Sequence, residues 1–221
     1  MPEVINNGPR TGSSVALTFD ADMTDAMLGN LASGKVASYA NLKVIDILQE
    51  RRVPATFFLT GLWALRYPEV AQRLAADPEF ELANHTYRHS AYAPHCHNLP
   101  QLPRTEMTGD ARRTFEAIKP LGGNQTHYFR FPGLCHDKAA LTALAPLGVT
   151  VIDGDVVSGD PFATAAAPIV NAVLSKVKPG SIIIMHITEA NAAFTDEALV
   201  PILDGLAARG LQPVRLSRLL T

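Results

Sequence analysis

The stretch "VALTFDAD" at residues 15–22 begins with an apolar, strand-like run, 15–19, and ends in two carboxylates, Asp20 and Asp22. Residues two apart in an extended chain point to the same side. Both carboxylates would therefore face one spot if the extended geometry continues past the run. Taken alone, the pattern is more typical of a solvated, Asp-rich turn that ends a strand. The rest of the chain has to decide between these two interpretations.

Short apolar stretches of the same kind recur along the chain, and helical patterns separate them. Seven strands are predicted, at residues 15–19, 55–60, 80–84, 127–131, 149–153, 181–185 and 212–216. Between them, apolar residues spaced three and four apart predict helices with one buried face each. Strict alternation implies parallel pairing, which leaves a barrel or an open doubly wound sheet. Because no glycine-rich phosphate loop follows the first strand, we predict an α/β fold, a distorted and incomplete (β/α) barrel of about seven parallel strands with residues 1–221 as one domain.

The composition excludes several classes of function. Hydrophobic residues make up 47% and charged residues 18% of the chain, as in ordinary globular proteins. The formal net charge of -2 supplies no basic field, so neither nucleic acid nor an anionic membrane surface is expected as a partner. The sequence shows no apolar run long enough to span a membrane, and "MPEVINNGPR" lacks the regions of a signal peptide. We expect a small molecule or a neutral polymer as substrate, and the localisation stays open.

The two cysteines, Cys96 and Cys135, are too few for a disulfide framework or a thiolate metal cluster. They are either free thiols or one bridge. Both lie in predicted loops, and we predict that neither binds a metal.

Ionisable residues follow five of the seven predicted strands. They are Asp20, Asp22, His85, His89, Arg130 (placed inside the fourth strand), Asp153, Asp155, Asp160 and His186. The carboxyl ends of parallel strands meet at one rim, where barrel active sites are built. Two long connections, 23–41 and 90–104, add to this rim, and loops of that length are often functional.

Each of these residues also has a purely structural interpretation. The pair His85 and His89, four apart on one face of a helical turn, suits metal binding but also arises by chance. His186 after an apolar run fits a hydrogen-bonded core histidine, and Asp153, Asp155 and Asp160 fit caps of the following helix. Three other histidines are interpreted as loop residues near the rim: His95, His97 and His136.

The order and spacing of five short motifs favour the functional interpretation. "TFDAD", "HTYRH", "RFPG", "VSGDP" and "IIIMH", in this order, resemble the five motifs of the polysaccharide deacetylase family, the NodB-like carbohydrate esterases. The resemblance covers nearly the whole chain, from Val15 to the last strand, and "HTYRH" matches at each fixed position.

The resemblance implies a divalent metal bound by His85, His89 and an aspartate of the first motif. The family has two adjacent aspartates there, and this chain has Ala21 at the usual ligand position. Asp20 aligns with the family's general base. Asp22 is the nearby candidate to replace the ligand, because residues two apart in an extended chain share a side.

The resemblance also implies roles for the later motifs. Arg130 would orient the base, and His186 would be the general acid, with Asp160 holding its imidazole. A backbone N–H near Gly133 would complete an oxyanion site.

Further departures from the family concern the pocket walls and the ligand set. Val157 stands where the family has aspartate, and Pro161 stands where it has tryptophan. Asp25 is a distant second choice for the missing ligand.

The leading expectation is a metal-dependent hydrolase that removes N-acetyl groups from amino sugars of a chitin- or peptidoglycan-like glycan or oligosaccharide. Zinc is the expected metal, with cobalt, nickel or manganese as alternatives. The departure at Ala21 motivates a second hypothesis, a metal-free, allantoinase-like amidohydrolase acting on a small cyclic amide. A third hypothesis is a catalytically inactive, carbohydrate-binding relative. The resemblance also implies a location outside the cytoplasm.

Overall fold

The computed structural model describes all residues from Met1 to Thr221. The strands are β1 (Val4–Ile5), β2 (Ser14–Ala21), β3 (Ala55–Leu59), β4 (Phe80–Asn84), β5 (Gln125–Phe129), β6 (Thr150–Ile152), β7 (Val156–Val157), β8 (Ile182–His186) and β9 (Gln212–Pro213). The helices are α1 (Asp25–Ala32), α2 (Leu42–Glu50), α3 (Gly61–Arg66), α4 (Pro68–Ala76), α5 (Met107–Ile118), α6 (Lys138–Leu144), α7 (Ala166–Leu174), α8 (Thr195–Ala208) and α9 (Leu216–Leu219).

All strands belong to one parallel sheet with the order β1-β6-β5-β4-β3-β2-β8-β7, and β9 pairs with β2. The end strands β1 and β7 do not pair with each other, so the barrel is incomplete. The predicted fold class is therefore confirmed. Parallel pairing brings the carboxyl ends of the strands to one rim, where the predicted site residues lie.

The seven predicted strands are all present, with shifted boundaries. The strand predicted at residues 127–131 is observed as Gln125–Phe129, so Arg130 follows the strand instead of lying inside it. The sequence prediction missed β1 and β7, because each has only two residues and a period cannot be recognised over so short a length. It also missed α1, which occupies part of the predicted long loop 23–41.

The core explains why Asp20, in β2, and Asp22, the residue after it ends, both face inward. Alternate residues of β2, such as Leu17 and Phe19, face the helices and join the main hydrophobic core of 35 buried residues. Ala16 faces the inside of the barrel, where it packs with Leu216 and Leu219 of α9. Helix α9 thus closes the amino end of the barrel. The inner face of β2 continues beyond Ala16 to the open carboxyl rim.

Several helix starts at the rim are fixed by side-chain caps. Thr60 accepts a hydrogen bond from the N–H of Trp63, and Asp137 accepts one from Ala140. Such caps satisfy backbone donors that have no partner within the helix. None of the helices combines the length and apolar character needed to cross a membrane.

Candidate active site

Asp20 lies near the end of β2, in register with Phe58 of β3 and His186 of β8. Its Oδ1 accepts a hydrogen bond from Nη1 of Arg130 at 2.7 Å. Arg130 is fully buried; its Nε donates to the carbonyl of Ile152 at 3.1 Å, and its guanidinium lies 4.0 Å from the centre of the Phe58 ring. This fixed, planar donor holds the Asp20 carboxylate in one orientation.

The "HTYRH" segment, residues 85–89, is a tight loop after β4, so the interpretation as a helical turn is wrong. Thr86 and His89 have left-handed backbone conformations, with φ of 70° and 57°. The first helical N–H of α3, from Gly61, donates to the Thr86 carbonyl at 3.1 Å. A Cβ at Gly61 would lie 2.2 Å from the Tyr87 ring, so a glycine there lets the loop pack against α3. Packing against α3, and not helical spacing, brings the two histidine rings to a centroid distance of 5.0 Å.

Asp22 and the two histidines converge on one point. Oδ1 of Asp22 lies 3.4 Å from Nε2 of His85 and 3.4 Å from Nε2 of His89. The candidate ligand atoms of the three residues all lie within 4.8 Å of one another. Nδ1 of His85 lies 2.9 Å from the carbonyl oxygen of Arg130. Because a carbonyl only accepts, Nδ1 donates to it, and this contact turns Nε2 of the ring toward Asp22.

The electrostatics of these groups suit a cation. Burial lowers the pKa of His89 to about 4, although the charge of Asp22 opposes this shift. Burial would raise the pKa of Asp22, but His89, His85 and His186 together hold it well below its usual range. At neutral pH, His89 is therefore neutral and Asp22 is charged, which are the forms that bind metals.

Oδ1 of Asp22 is buried and has no hydrogen-bond partner. A buried carboxylate oxygen that faces two imidazole nitrogens costs free energy unless a cation or a proton donor lies between them. One carboxylate and two imidazoles form the donor set of a catalytic zinc site, and the same set suits cobalt, nickel or manganese. Asp22, His85 and His89 thus fit a divalent metal ion.

His186, the last residue of β8, faces the same point. Its Nε2 lies 3.9 Å from Oδ2 of Asp22, and its Nδ1 lies 2.8 Å from Oδ1 of Asp160. Asp160 is buried and accepts three more hydrogen bonds, each 2.7 Å long, from the N–H of His186 and the hydroxyls of Ser158 and Thr195. Burial alone would lower the pKa of His186, but the Asp160 carboxylate and, to a smaller extent, Asp22 raise it to about 10. The imidazole is therefore a protonated donor at neutral pH.

A pocket of about 400 Å³ opens over these groups. Its floor holds the ionisable residues Asp20, Asp22, His85, His89 and His186. Its walls include His97, Leu99, Gly133, Leu134, Val157 and Phe162. Gly133, the predicted oxyanion residue, has φ of 61°, and a Cβ there would lie 2.6 Å from the His97 ring. The structure thus gathers all of the predicted metal ligands, base and acid around one cavity with Gly133 in its wall.

A disulfide joins Cys96 to Cys135 across a sequence separation of 39 residues. The sequence left free thiols and a bridge open, and the structure shows the bridge. The imidazole of His97 lies near both sulfur atoms, but bridged sulfurs are not thiolate ligands. The bond ties the 90–104 loop, which carries His97, to the loop that carries Gly133.

Replacing both cysteines by serine is expected to lower the free energy of unfolding by about 2–4 kcal/mol, because the bridge constrains the unfolded chain. The bound metal should be retained in full, since the proposed ligands are elsewhere. Denaturant titration and elemental analysis of the double variant measure the two quantities. If the metal is lost from this variant while its pocket remains folded, the ligand assignment is wrong.

Some predicted rim residues do not reach the pocket. Their side chains pair elsewhere, Asp25 with Arg88 at 2.9 Å, Asp153 with His136 at 2.9 Å and Asp155 with Arg10 at 2.7 Å. The interpretation as helix caps is wrong for Asp153 and Asp155, whose carboxylates contact His136 and Arg10. Asp25 lies outside the cluster of possible ligands, which favours Asp22.

Sequence reasoning missed residues that support or line the site. Ser158 and Thr195 hold Asp160, yet a lone hydroxyl residue carries no recognisable spacing signal. Phe162 lines the pocket directly after "VSGDP", and its position next to the altered Pro161 was a usable signal. His97 was interpreted as a loop residue, and the structure adds that it lines the pocket.

The sequence of this chain is similar to those of known carbohydrate deacetylases. A family model described as polysaccharide deacetylase matches residues 7–152. A chitooligosaccharide deacetylase of Sinorhizobium fredii (strain NBRC 101917 / NGR234) is 30% identical over 182 residues, which cover 76% of this chain and 80% of that protein.

Two solved structures share the architecture. The crystal structure of the Bc1960 peptidoglycan N-acetylglucosamine deacetylase superposes with a TM-score of 0.81 and 25% identity, covering 99% of this chain and 93% of that one. A CE4 family pseudoenzyme from Bacillus anthracis superposes with a TM-score of 0.78 and 23% identity, covering 100% of this chain and 70% of that one. At 23% identity, the second likeness shows the fold alone.

Proposed function

The chain belongs to the polysaccharide deacetylase family, and on that premise we propose that it is a metal-dependent hydrolase that removes N-acetyl groups from amino sugars of a chitin- or peptidoglycan-like glycan. One observation carries the proposal. Asp20, which pairs with Arg130, and His186, which pairs with Asp160, line the same pocket as Asp22, His85 and His89. Amide hydrolysis needs a base to activate water and an acid to release the amine, and the two pairs supply these groups.

A divalent cation held by Asp22, His85 and His89 would act as a Lewis acid toward the substrate carbonyl and the attacking water. The chain's own residues accept and donate the protons. Asp20 accepts a proton from the water that attacks the amide carbon, and Arg130 keeps its carboxylate in place. His186 donates its Nε2 proton to the leaving nitrogen as the carbon–nitrogen bond breaks. The products are acetate and the free amino sugar.

The wall around Gly133 completes the proposed chemistry. A backbone N–H at this position, facing the pocket, would donate to the carbonyl oxygen as negative charge develops on it. The left-handed conformation of Gly133 and its close contact with the His97 ring leave no room for a side chain there.

Asp160→Asn is expected to move the alkaline limit of kcat/KM to lower pH. The carboxylate raises the pKa of His186 to about 10, so the acid stays protonated well above neutral pH. A neutral amide removes that charge, so His186 loses its proton at a lower pH and the rate falls earlier. The pH dependence of kcat/KM for both proteins measures the shift. An unchanged alkaline limb in a folded variant would contradict the role of Asp160.

Two measurements test the proposed function. We expect protein purified without added metal to contain a divalent ion by elemental analysis, and to release acetate from N-acetylglucosamine oligomers in a way that a chelator abolishes. Acetate release that survives complete metal removal would favour the metal-free amidohydrolase. Metal-loaded protein that binds oligosaccharides without releasing acetate would favour the inactive, carbohydrate-binding relative.

The position of Asp22 weakens the motive for the metal-free hypothesis. That hypothesis rested on Ala21, and Asp22 now lies 3.4 Å from the Nε2 atoms of both histidines. Among metals, zinc is proposed because imidazole and carboxylate donors suit it, with cobalt, nickel and manganese as alternatives.

A location outside the cytoplasm is part of the proposal. The Cys96–Cys135 bridge supports it, because structural disulfides persist in oxidising compartments. Recovery of the activity from the medium or the cell envelope of the source cells would test it.

A further inference from the structure

Phe162 is an exposed aromatic residue in the wall of the pocket. Its exposed fraction is 83%, the highest among the large hydrophobic residues, and Val157 beside it in the wall is 47% exposed. Leu99 and Pro161 line the same pocket. Solvent-exposed apolar side chains that are contiguous with a pocket are characteristic of ligand-binding surfaces.

The backbone holds Phe162 in a fixed position. It ends a short 3₁₀ helix, Asp160–Phe162, whose first residue is the buried aspartate with four hydrogen bonds. Pro161 restricts φ at the middle of the turn. The N–H of Phe162 donates to the carbonyl of Gly159 at 3.1 Å. The ring is therefore presented by a rigid turn that is anchored at the proposed acid, and a preorganised contact loses little entropy on binding.

The chemistry of this wall limits its ligand. Val157, Pro161 and Phe162 carry no charge, so a charged group on the ligand would find no partner there. A pyranose ring is neutral, has apolar C–H groups on one face, and offers that face to an aromatic ring. A ligand that reaches the polar floor also passes this wall, because both belong to one pocket.

We propose that Phe162, with Val157, binds the pyranose ring of the sugar unit adjoining the one that is deacetylated, so that the binding of substrates of two or more sugar units depends on this side chain. This inference rests on the proposed function. It assigns a specificity-determining role to Phe162. This residue directly follows Pro161, which stands at the position of the family's tryptophan.

The test compares Phe162→Ala with the wild type on N-acetylchitotetraose and on N-acetylglucosamine. We expect kcat/KM for the tetramer to fall about tenfold, equivalent to about 1.4 kcal/mol, mainly through a higher KM. The value for the monosaccharide should fall by clearly less than the value for the tetramer, and Phe162→Trp should retain the wild-type ratio of the two values. Leu65→Ala is the matched control, because Leu65 is also exposed, at 56%, but does not line the pocket.

Calorimetric titration of both sugars into the metal-loaded wild type and Phe162→Ala measures binding separately from turnover. It therefore distinguishes a failure of the proposed deacetylase function from a failure of the proposed role of Phe162. Tetramer binding that depends on Phe162, without acetate release by the wild type, would overturn the proposed function and leave only the sugar-binding role of Phe162. Acetate release with the same kcat/KM in Phe162→Ala, or an equal loss on both sugars, would overturn this inference alone. A wild-type dimer that becomes a monomer in Phe162→Ala would also overturn it, because the apolar wall would then bind a second copy of the chain.

Discussion

Asp20→Asn is expected to lower the deacetylation rate by about 10²–10⁴-fold, the usual contribution of a positioned acid–base group, while the metal stays bound. Asparagine keeps the shape of the side chain and an oxygen that can accept from Arg130, but it cannot take a proton from water. Elemental analysis and acetate release, measured on the same preparation, separate the two effects. A thermal melt of the variant checks that the buried Arg130 still has a partner, since an uncompensated buried charge is strongly destabilising.

Asp22→Ala is the matched comparison for that prediction. Asp22 is the carboxylate within 3.4 Å of both histidines, so its removal should weaken metal binding, and excess metal should restore part of the activity. If Asp20→Asn loses the ion while Asp22→Ala keeps it, the two roles are reversed. Near-normal rate and metal content in both variants would favour the solvated turn.

Replacing both His85 and His89 by alanine is expected to abolish metal binding, taking the content from one ion per chain to none. Two of the three proposed ligands disappear, and a lone carboxylate is a weak site for these metals. His127→Ala is a suitable control, because His127 is an exposed residue of β5 that stacks on Phe115 and does not line the pocket. Undiminished metal stoichiometry in a folded double variant would disprove the site.

The fold class was predictable because it depends on local periodicity. Alternating apolar strands and amphipathic helices imply parallel strands, and the nine observed strands include all seven that were predicted. The two missed strands, β1 and β7, are two residues long and are held by pairing with β6 and β8. Pairing across the sheet stabilises them, and the sequence of a two-residue strand carries no sign of its partner.

Part of the candidate site was also predictable, through motif order and the rule that strand ends share a rim. The "HTYRH" spacing located the two histidines, but for a reason different from the helical turn assumed. Thr86 and His89 adopt left-handed conformations, which the packing of Gly61 against Tyr87 supports. Local propensity does not favour such conformations for these residues, so only the tertiary contacts specify them.

By itself, the sequence determined that Asp20 and Asp22 face the same side if the chain stays extended past the strand, because the alternation of side chains along an extended chain is a local property. Only the tertiary structure decided how they differ. Asp20 lies against the guanidinium of Arg130, which is 110 residues away in the chain, and Asp22 lies between the imidazoles of His85 and His89. The tertiary structure also decided that Cys96 and Cys135 form a bridge and that the Thr195 hydroxyl donates to Asp160. These partners are far apart in the chain and meet only when the strands and helices pack together. The position of each strand end in the folded protein cannot be deduced from the local spacing of residues.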